Sequence, residues 1–232
     1  MGQWWERVTA TTPAPDERVT ALLALIALGC IAWAPVWRVT RHVVTVVHEG
    51  GHGVVALLVG RRLSGIRVHS DSSGLTVSRG RPTGPGMVLT LLAGYLGPSL
   101  LGMLVAVGIH SGHAVATLWL LLIALALLLL QIRNLYGLWV VLVSGAALFA
   151  VTRWLDPTAQ TAVAQTICSF LLLAGPWSLV DLHRSRRAGV ARCSDPDQLA
   201  RITRLPGTFW WALMLLVSLG CLVAGGALLI GG

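Results

Sequence analysis

Hydrophobic residues are grouped along the chain into seven long apolar segments, which are separated by shorter polar connections. The segments cover about residues 19–36, 41–60, 86–109, 114–131, 135–152, 159–181 and 208–230. Each is near the ~20 residues that an α-helix needs to cross the hydrocarbon core of a bilayer. The pattern therefore predicts an all-α polytopic membrane protein with about seven transmembrane helices.

An alternation of apolar and polar residues interrupts the helical pattern between the second and third segments. Ile66, Val68, Leu75 and Val77 alternate with polar residues around the turn sequence DSSG at positions 71–74. Such alternation about a Gly-containing turn predicts a small β-hairpin, which we place on the cytoplasmic side. The hairpin is either a simple connection or an edge strand that pairs with an extended substrate, and the sequence leaves both interpretations open.

The longest polar stretch within the membrane region is residues 182–207. Its sequence SDP at 194–196 is typical of a helix N-cap followed by proline in the first turn. Leu199, Ile202 and Leu205 then share one face, which predicts a short amphipathic helix at the cytoplasmic interface.

Composition supports a membrane protein and argues against nucleic acid as a partner. Hydrophobic residues make up 55% of the 232 residues, charged residues only 11%, and the mean hydropathy is +0.76. A soluble protein carries about a quarter charged residues. The net charge of +8 comes wholly from arginine, and these arginines lie between apolar segments, where they act as topology signals.

The arginine distribution predicts an orientation in the membrane. We divide the chain into a polar cytoplasmic tail, residues 1–18, and a single polytopic membrane domain, residues 19–232, whose first segment is an uncleaved signal anchor. With seven spans, fourteen of the seventeen arginines fall on the side of the N-terminal tail. The positive-inside rule then predicts a cytoplasmic N-terminus and a C-terminus outside. The lysine-free, Ala- and Arg-rich composition suggests the plasma membrane of a bacterium.

The second apolar segment contains the H-E-x-x-H pattern in His48-Glu49-Gly50-Gly51-His52. Residues four apart share one face of a helix, so His48 and His52 can offer two imidazoles to one zinc ion. Glu49 is placed to take a proton from a water at that ion. Ionisable residues at membrane depth are costly and indicate a function. Two polar core residues that bond to neighbouring helices are the less favoured interpretation.

A catalytic zinc needs a third protein ligand and one open position for water. Of the nine acidic residues, Asp181 alone lies at the end of an apolar span, and it is our first candidate. The alternative role for Asp181 is an interfacial ion pair with Arg184 or Arg187. Asp195 is the second candidate, on condition that its loop folds back into the bilayer.

The remaining histidines and the cysteines show no such pattern. His110 and His113 have no acid or cysteine nearby and are interpreted as a solvated turn. His42, His69 and His183 receive no role. The cysteines have no C-x-x-C spacing and are interpreted as small apolar residues without a disulfide framework.

These motifs together resemble the site-2 protease family of intramembrane zinc metalloproteases, specifically its shorter, M50B-like branch. The resemblance covers about residues 40–211 and follows the family order in four places. They are HEGGH at 48–52, a β-rich stretch ending in SGLT at 73–76, AGYLGP at 93–98, and WSLVDL at 177–182 followed by SD at 194–195.

The resemblance implies a zinc-dependent endopeptidase that hydrolyses peptide bonds of membrane-embedded substrates, such as membrane-anchored regulators. It assigns the metal ligands to His48, His52 and Asp181 and the catalytic base to Glu49. The chain departs from the Asn-Pro-x-x-Asp-Gly signature of the larger family, since no glycine follows Asp181 and Ala174-Gly175 precedes Pro176. Iron or cobalt could use the same ligands as zinc.

Two other functions remain open at this point. Intramembrane His and Asp residues also mark the ion paths of transporters, but here the polar residues are concentrated in one place and no inverted repeat is visible. A catalytically silent relative that binds membrane proteins without cutting them would bind metal and show no cleavage.

Overall fold

Nine α-helices and one two-stranded β-sheet form the described part of the chain, residues 2–190 and 193–231 of a computed structural model. The helices are α1 (Gly2–Thr9), α2 (Glu17–Ala32), α3 (Ala34–Leu58), α4 (Pro85–His110), α5 (Ala114–Leu129), α6 (Leu135–Trp154), α7 (Pro157–Arg187), α8 (Asp195–Ile202) and α9 (Gly207–Ile230). The strands are β1 (Arg62–Val68) and β2 (Gly74–Arg79).

All seven apolar segments are helical, but seven transmembrane helices are not confirmed. Among the described residues, only α4, α6, α7 and α9 are individually long and apolar enough to cross a membrane. Helices α2 and α3 form a pair bent by 99°, which counts at most as one further span. The bend falls where Trp33 is extended and a proline opens α3, so the backbone turns while the hydrophobic pattern continues. Helix α5 has 16 residues, or about 24 Å, less than the ~30 Å hydrocarbon core.

The two ends of the chain lie at the same end of the helix bundle. The backbone N–H of Thr12 donates to the carbonyl oxygen of Gly112 at 2.8 Å, and the hydroxyls of Thr12 and Thr161 lie 3.0 Å apart. The Nδ1 atom of His110 lies 3.1 Å from the carbonyl oxygen of Leu228, near the end of α9. The expected placement of the termini on opposite sides is therefore not supported.

The predicted β-hairpin is present, and its two strands have different surroundings. Strands β1 and β2 pair antiparallel, with Ile66 opposite Thr76. The other edge of β1 is covered by the α5–α6 connection: Ile66 N–H donates to the carbonyl oxygen of Gln131, and Arg133 N–H donates to that of Ile66. The side chain of Asn134, by position the N-cap of α6, instead bonds the backbone of Val68 through both its amide atoms. Strand β2 therefore carries the free edge of this sheet within the described residues.

Small residues bring α4 close to its neighbours. A Cβ atom at Gly51 would clash with the carbonyl oxygen of Ala93, and one at Gly97 would lie 3.1 Å from that of Val47. On the other face of α4, Gly175 of α7 lies against Ser99. Close backbone approach of this kind is how small residues stabilise helix pairs in membranes. It places α4 between α3 and α7, next to the H-E-x-x-H turn.

Helix α8 begins where the sequence predicts. Ser194 is its N-cap and forms a capping box with Asp197, whose carboxylate accepts from the Ser194 backbone N–H at 3.2 Å. The same carboxylate also accepts from the Ser194 hydroxyl at 2.6 Å. Arg186 of α7 pairs with Asp197 at 2.6 Å. These contacts hold the start of α8 back against the bundle, with Asp195 and Leu199 buried.

Candidate metal centre

His48 and His52 lie one turn apart on the face of α3 that contacts α4. Their Nε2 atoms are 3.1 Å apart and their rings meet edge to face, with centroids 4.7 Å apart. The i, i+4 spacing produces this convergence, because side chains four apart stack on the same helix face. The two imidazoles thus point at a common position.

Asp195 completes a group of three possible ligands with these histidines. Its Oδ2 atom lies 3.3 Å from the Nε2 atom of each. Ligand atoms about 2.1 Å from a tetrahedral zinc are about 3.4 Å from one another, so this triangle is close to the size of one zinc coordination face. A tetrahedral ion on such a face keeps its fourth position open.

The protonation pattern of the group also fits a cation. The Nδ1 atom of His52 donates to the carbonyl oxygen of Thr90 at 2.7 Å, so the neutral ring presents a lone pair at Nε2. The Oδ2 atom of Asp195 is buried and has no hydrogen-bond partner in the described structure. Acceptors that converge without a proton between them repel each other, and a metal ion relieves that repulsion.

The carboxylate of Asp195 is held in its charged form. Burial, which leaves the residue 7% exposed, would by itself raise the pKa of this group. In their protonated form, the adjacent His52 and His48 outweigh burial and hold the pKa of Asp195 well below its usual range. A bound cation would supply the same positive charge while both rings stay neutral. A charged carboxylate is the form that binds a metal ion.

Helix α4 leaves space for the imidazoles at Gly94. A Cβ atom at that position would lie 2.5 Å from Cε1 of His52 and 2.7 Å from Cε1 of His48. The next residue, Tyr95, packs its ring edge to face against His48, with centroids 4.7 Å apart. The Gly-Tyr pair therefore shapes the back wall of the site.

Glu49 follows His48 and is held by the hairpin. The residue is 5% exposed, and its Oε2 atom accepts a hydrogen bond from the Thr76 hydroxyl at 2.6 Å. The same hydroxyl lies 3.0 Å from the Glu49 carbonyl oxygen. A Cβ atom at Gly74 would lie 2.5 Å from Cγ of Glu49, so only glycine lets β2 approach this closely.

A cavity of about 650 Å³ joins these groups. It is lined by His48, Glu49 and His52, by β2 and the hairpin turn, and by the end of α7 and the start of α8. The free edge of β2 therefore lies beside the three possible ligands and the glutamate.

The structure brings three of the four predicted site residues together, while the ligand role of Asp181 stays a prediction. His48, Glu49 and His52 meet as expected, but the carboxylate beside the imidazoles belongs to Asp195. Asp181 lines the same cavity and is not part of the three-residue group. The reason is that the start of α8 packs back against the bundle, which brings its first residue, Asp195, beside the two imidazoles of α3. The capping signal at Ser194 predicted the start of α8 but not where that start packs.

Comparison with protein families gives one finding. A family model described as Peptidase M50B-like matches residues 21–225 of the chain. Comparisons with curated proteins and with solved structures gave no significant match. The matched region contains the three possible ligands, Glu49, the hairpin and Asp181.

Proposed function

The chain belongs to the Peptidase M50B-like family, and on this basis we propose that it is an intramembrane zinc metalloprotease. The observation that carries the proposal is the convergence of His48, His52 and Asp195 beside the buried Glu49. Two histidines and a carboxylate are a common ligand set of catalytic zinc sites, and zinc is therefore the metal we propose.

The metal would hold its position through His48, His52 and Asp195. A bound zinc supplies a Lewis acid that activates a water and polarises the scissile carbonyl. Glu49 takes the proton of that water and then delivers it to the leaving amine. The Thr76 hydroxyl orients the Glu49 carboxylate by donating to Oε2, which leaves Oε1 for the proton. Thr90 fixes the tautomer of His52 through its carbonyl oxygen.

The substrate would enter as an extended segment along β2. A helix hides its carbonyl groups in internal hydrogen bonds, so a membrane-embedded substrate has to unwind before attack. Residues of β2 line the cavity, and the free edge of this strand would offer backbone groups that replace those internal bonds. This favours an edge strand that binds substrate over a simple connection.

The test uses purified protein in proteoliposomes with a single-span model peptide that carries a Gly-Pro break near one end of its apolar segment. We expect cleavage by the wild type, none by Glu49→Gln with metal retained, and neither cleavage nor metal with His48→Ala. Metal binding without Glu49-dependent cleavage would contradict the proposal and favour a silent relative.

The edge-strand role has a separate test. The same peptide with N-methyl groups on alternate backbone amides cannot pair fully with β2. We expect its cleavage to fall about tenfold or more, since several backbone hydrogen bonds are lost. Equal cleavage of both peptides would exclude pairing with β2.

A further inference from the structure

The cavity beside the metal centre is acidic, although the protein as a whole is strongly basic. Four of the nine acidic residues line it: Glu49, Asp71, Asp181 and Asp195. Of the seventeen arginines, only Arg41 lines it among the described residues. The charge of the cavity is thus opposite to the net charge of +8.

Two of these carboxylates already have a role in the proposed site. The buried, unpartnered Oδ2 atom of Asp195 points at the two imidazoles and belongs to the metal centre. Glu49 is bonded by Thr76. With a divalent cation in place, these two carboxylates and the ion balance in charge.

The other two acidic residues of the cavity, Asp71 and Asp181, have no role in the proposed metal centre. Asp71 closes the hairpin turn, where its carboxylate accepts from the backbone N–H and the hydroxyl of Ser73, and these bonds lower the pKa of Asp71. Arg41 donates to the backbone carbonyl oxygen of Asp71 at 3.4 Å and does not pair with its carboxylate. Asp71 therefore stays charged and exposed at one end of the cavity.

Asp181 is half-buried, and its carboxylate forms no hydrogen bond or ion pair with any described residue. The alternative role of Asp181, an ion pair with Arg184 or Arg187, is not formed: the Arg184 guanidinium instead lies 5.3 Å from the ring centroid of Trp177. A half-buried carboxylate without a partner, inside a cavity with low-dielectric walls, attracts a cation.

We propose that Asp181 is a specificity-determining residue that binds a lysine or arginine side chain of the substrate. The inference rests on the proposed protease function and names its substrate class: transmembrane segments with a basic residue close to the cut. Membrane proteins carry Lys and Arg mainly at the cytoplasmic ends of their spans. A basic side chain drawn to membrane depth needs an acidic partner there, and Asp181 provides it.

The test is a binding measurement with Glu49→Gln protein, which cannot cleave. Two fluorescent single-span peptides differ only in having Lys-Lys or Gln-Gln beside the Gly-Pro break, and are titrated in vesicles of neutral lipid. We expect the Lys peptide to bind about tenfold more tightly. The difference should disappear in Glu49→Gln/Asp181→Asn and persist in Glu49→Gln/Glu17→Gln, where Glu17 is an exposed carboxylate on α2.

Three results would overturn the inference: equal affinity of the two peptides, a preference that survives Asp181→Asn, or no binding of either peptide. None of them decides the proposed function, which depends on metal content and on Glu49-dependent cleavage of the Gln-Gln peptide by the wild type. If that cleavage occurs without any preference for lysine, only the role of Asp181 is wrong.

Discussion

The Nδ1 atom of His52 on α3 lies 2.7 Å from the carbonyl oxygen of Thr90 on α4. The hydroxyl of Thr90 donates separately to the carbonyl oxygen of Gly86, one turn earlier in α4. The contact fixes which imidazole nitrogen carries the proton, and it leaves the Nε2 atom of His52 directed at Asp195. The packing of α3 on α4 and the chemistry of the site are therefore set by the same contact.

Replacing Gly94 by alanine should remove metal binding without unfolding the helices. The added methyl group would meet both imidazole rings, which have no room to move while α3 stays packed on α4. We expect metal content to fall at least tenfold, measured by mass spectrometry of the purified protein. Gly220→Ala is the matched control, since a Cβ atom there meets nothing within 4 Å. A fully metal-loaded Gly94→Ala protein would contradict the geometry.

The first two ligands and the base could be predicted from sequence because a single helix turn carries them. The i, i+4 spacing fixes the relative positions of His48 and His52 without knowledge of the rest of the fold. Asp195 could not be chosen over Asp181 in this way, because the position of Asp195 depends on where the start of α8 packs in the folded protein. The apolar pattern ends at Asp181, but the helix itself continues beyond that residue to Arg187.

Thr76→Val should lower cleavage and leave metal content unchanged. The substitution removes the hydroxyl that donates to Glu49 at 2.6 Å and keeps the volume of the side chain. A hydrogen bond to a charged group contributes about 1.5–3 kcal/mol, so we expect kcat to fall roughly tenfold to a hundredfold. The comparison is Thr45→Val, which removes a hydroxyl that bonds only backbone carbonyl oxygens. An unchanged kcat in Thr76→Val would show that Thr76 does not orient Glu49.

Tyr136→Phe should loosen the tip of the hairpin. The Tyr136 hydroxyl lies 2.9 Å from Nε2 of His42, which also contacts the Ser72 hydroxyl at 3.2 Å. Loss of this bond removes about 1 kcal/mol of local stability, so hydrogen exchange of residues 69–78 should become several-fold faster. Thr152→Val on the same helix serves as control, because its hydroxyl bonds only the local carbonyl of Phe149. Equal exchange in the two variants would show that the contact of Tyr136 with His42 does not stabilise the hairpin.

Both termini should report the same compartment in a topology experiment. Thr12 and Leu228 both lie beside the α4–α5 connection. The arginines in the last turn of α7 lie at the other end of this 31-residue helix. The positive-inside rule then places both termini outside the cytoplasm. Epitope tags at either terminus should be open to protease in intact cells, and a tag inserted at Pro82, between β2 and α4, should be protected. Protection of one terminus alone would contradict the single broken span of α2 and α3.

The helical segments and the hairpin were predictable because each follows a local period in the sequence. The number of spans was not predictable, because a hydrophobic pattern contains no information about a backbone bend. Trp33 and Ala34 continue the apolar run although the helix direction changes there by 99°. The shortness of α5 was hidden for a similar reason, because Leu130 and Ile132 extend the apolar pattern beyond the helix end. Those residues instead belong to the connection that pairs with β1.

Metal content of the detergent-purified protein tests the central claim most directly, in the wild type and in His48→Ala, Asp195→Asn and Asp181→Asn. We predict about one zinc per chain in the wild type and in Asp181→Asn, and a loss of zinc in His48→Ala and Asp195→Asn. Zinc that survives in Asp195→Asn and is lost in Asp181→Asn would contradict the coordination by His48, His52 and Asp195.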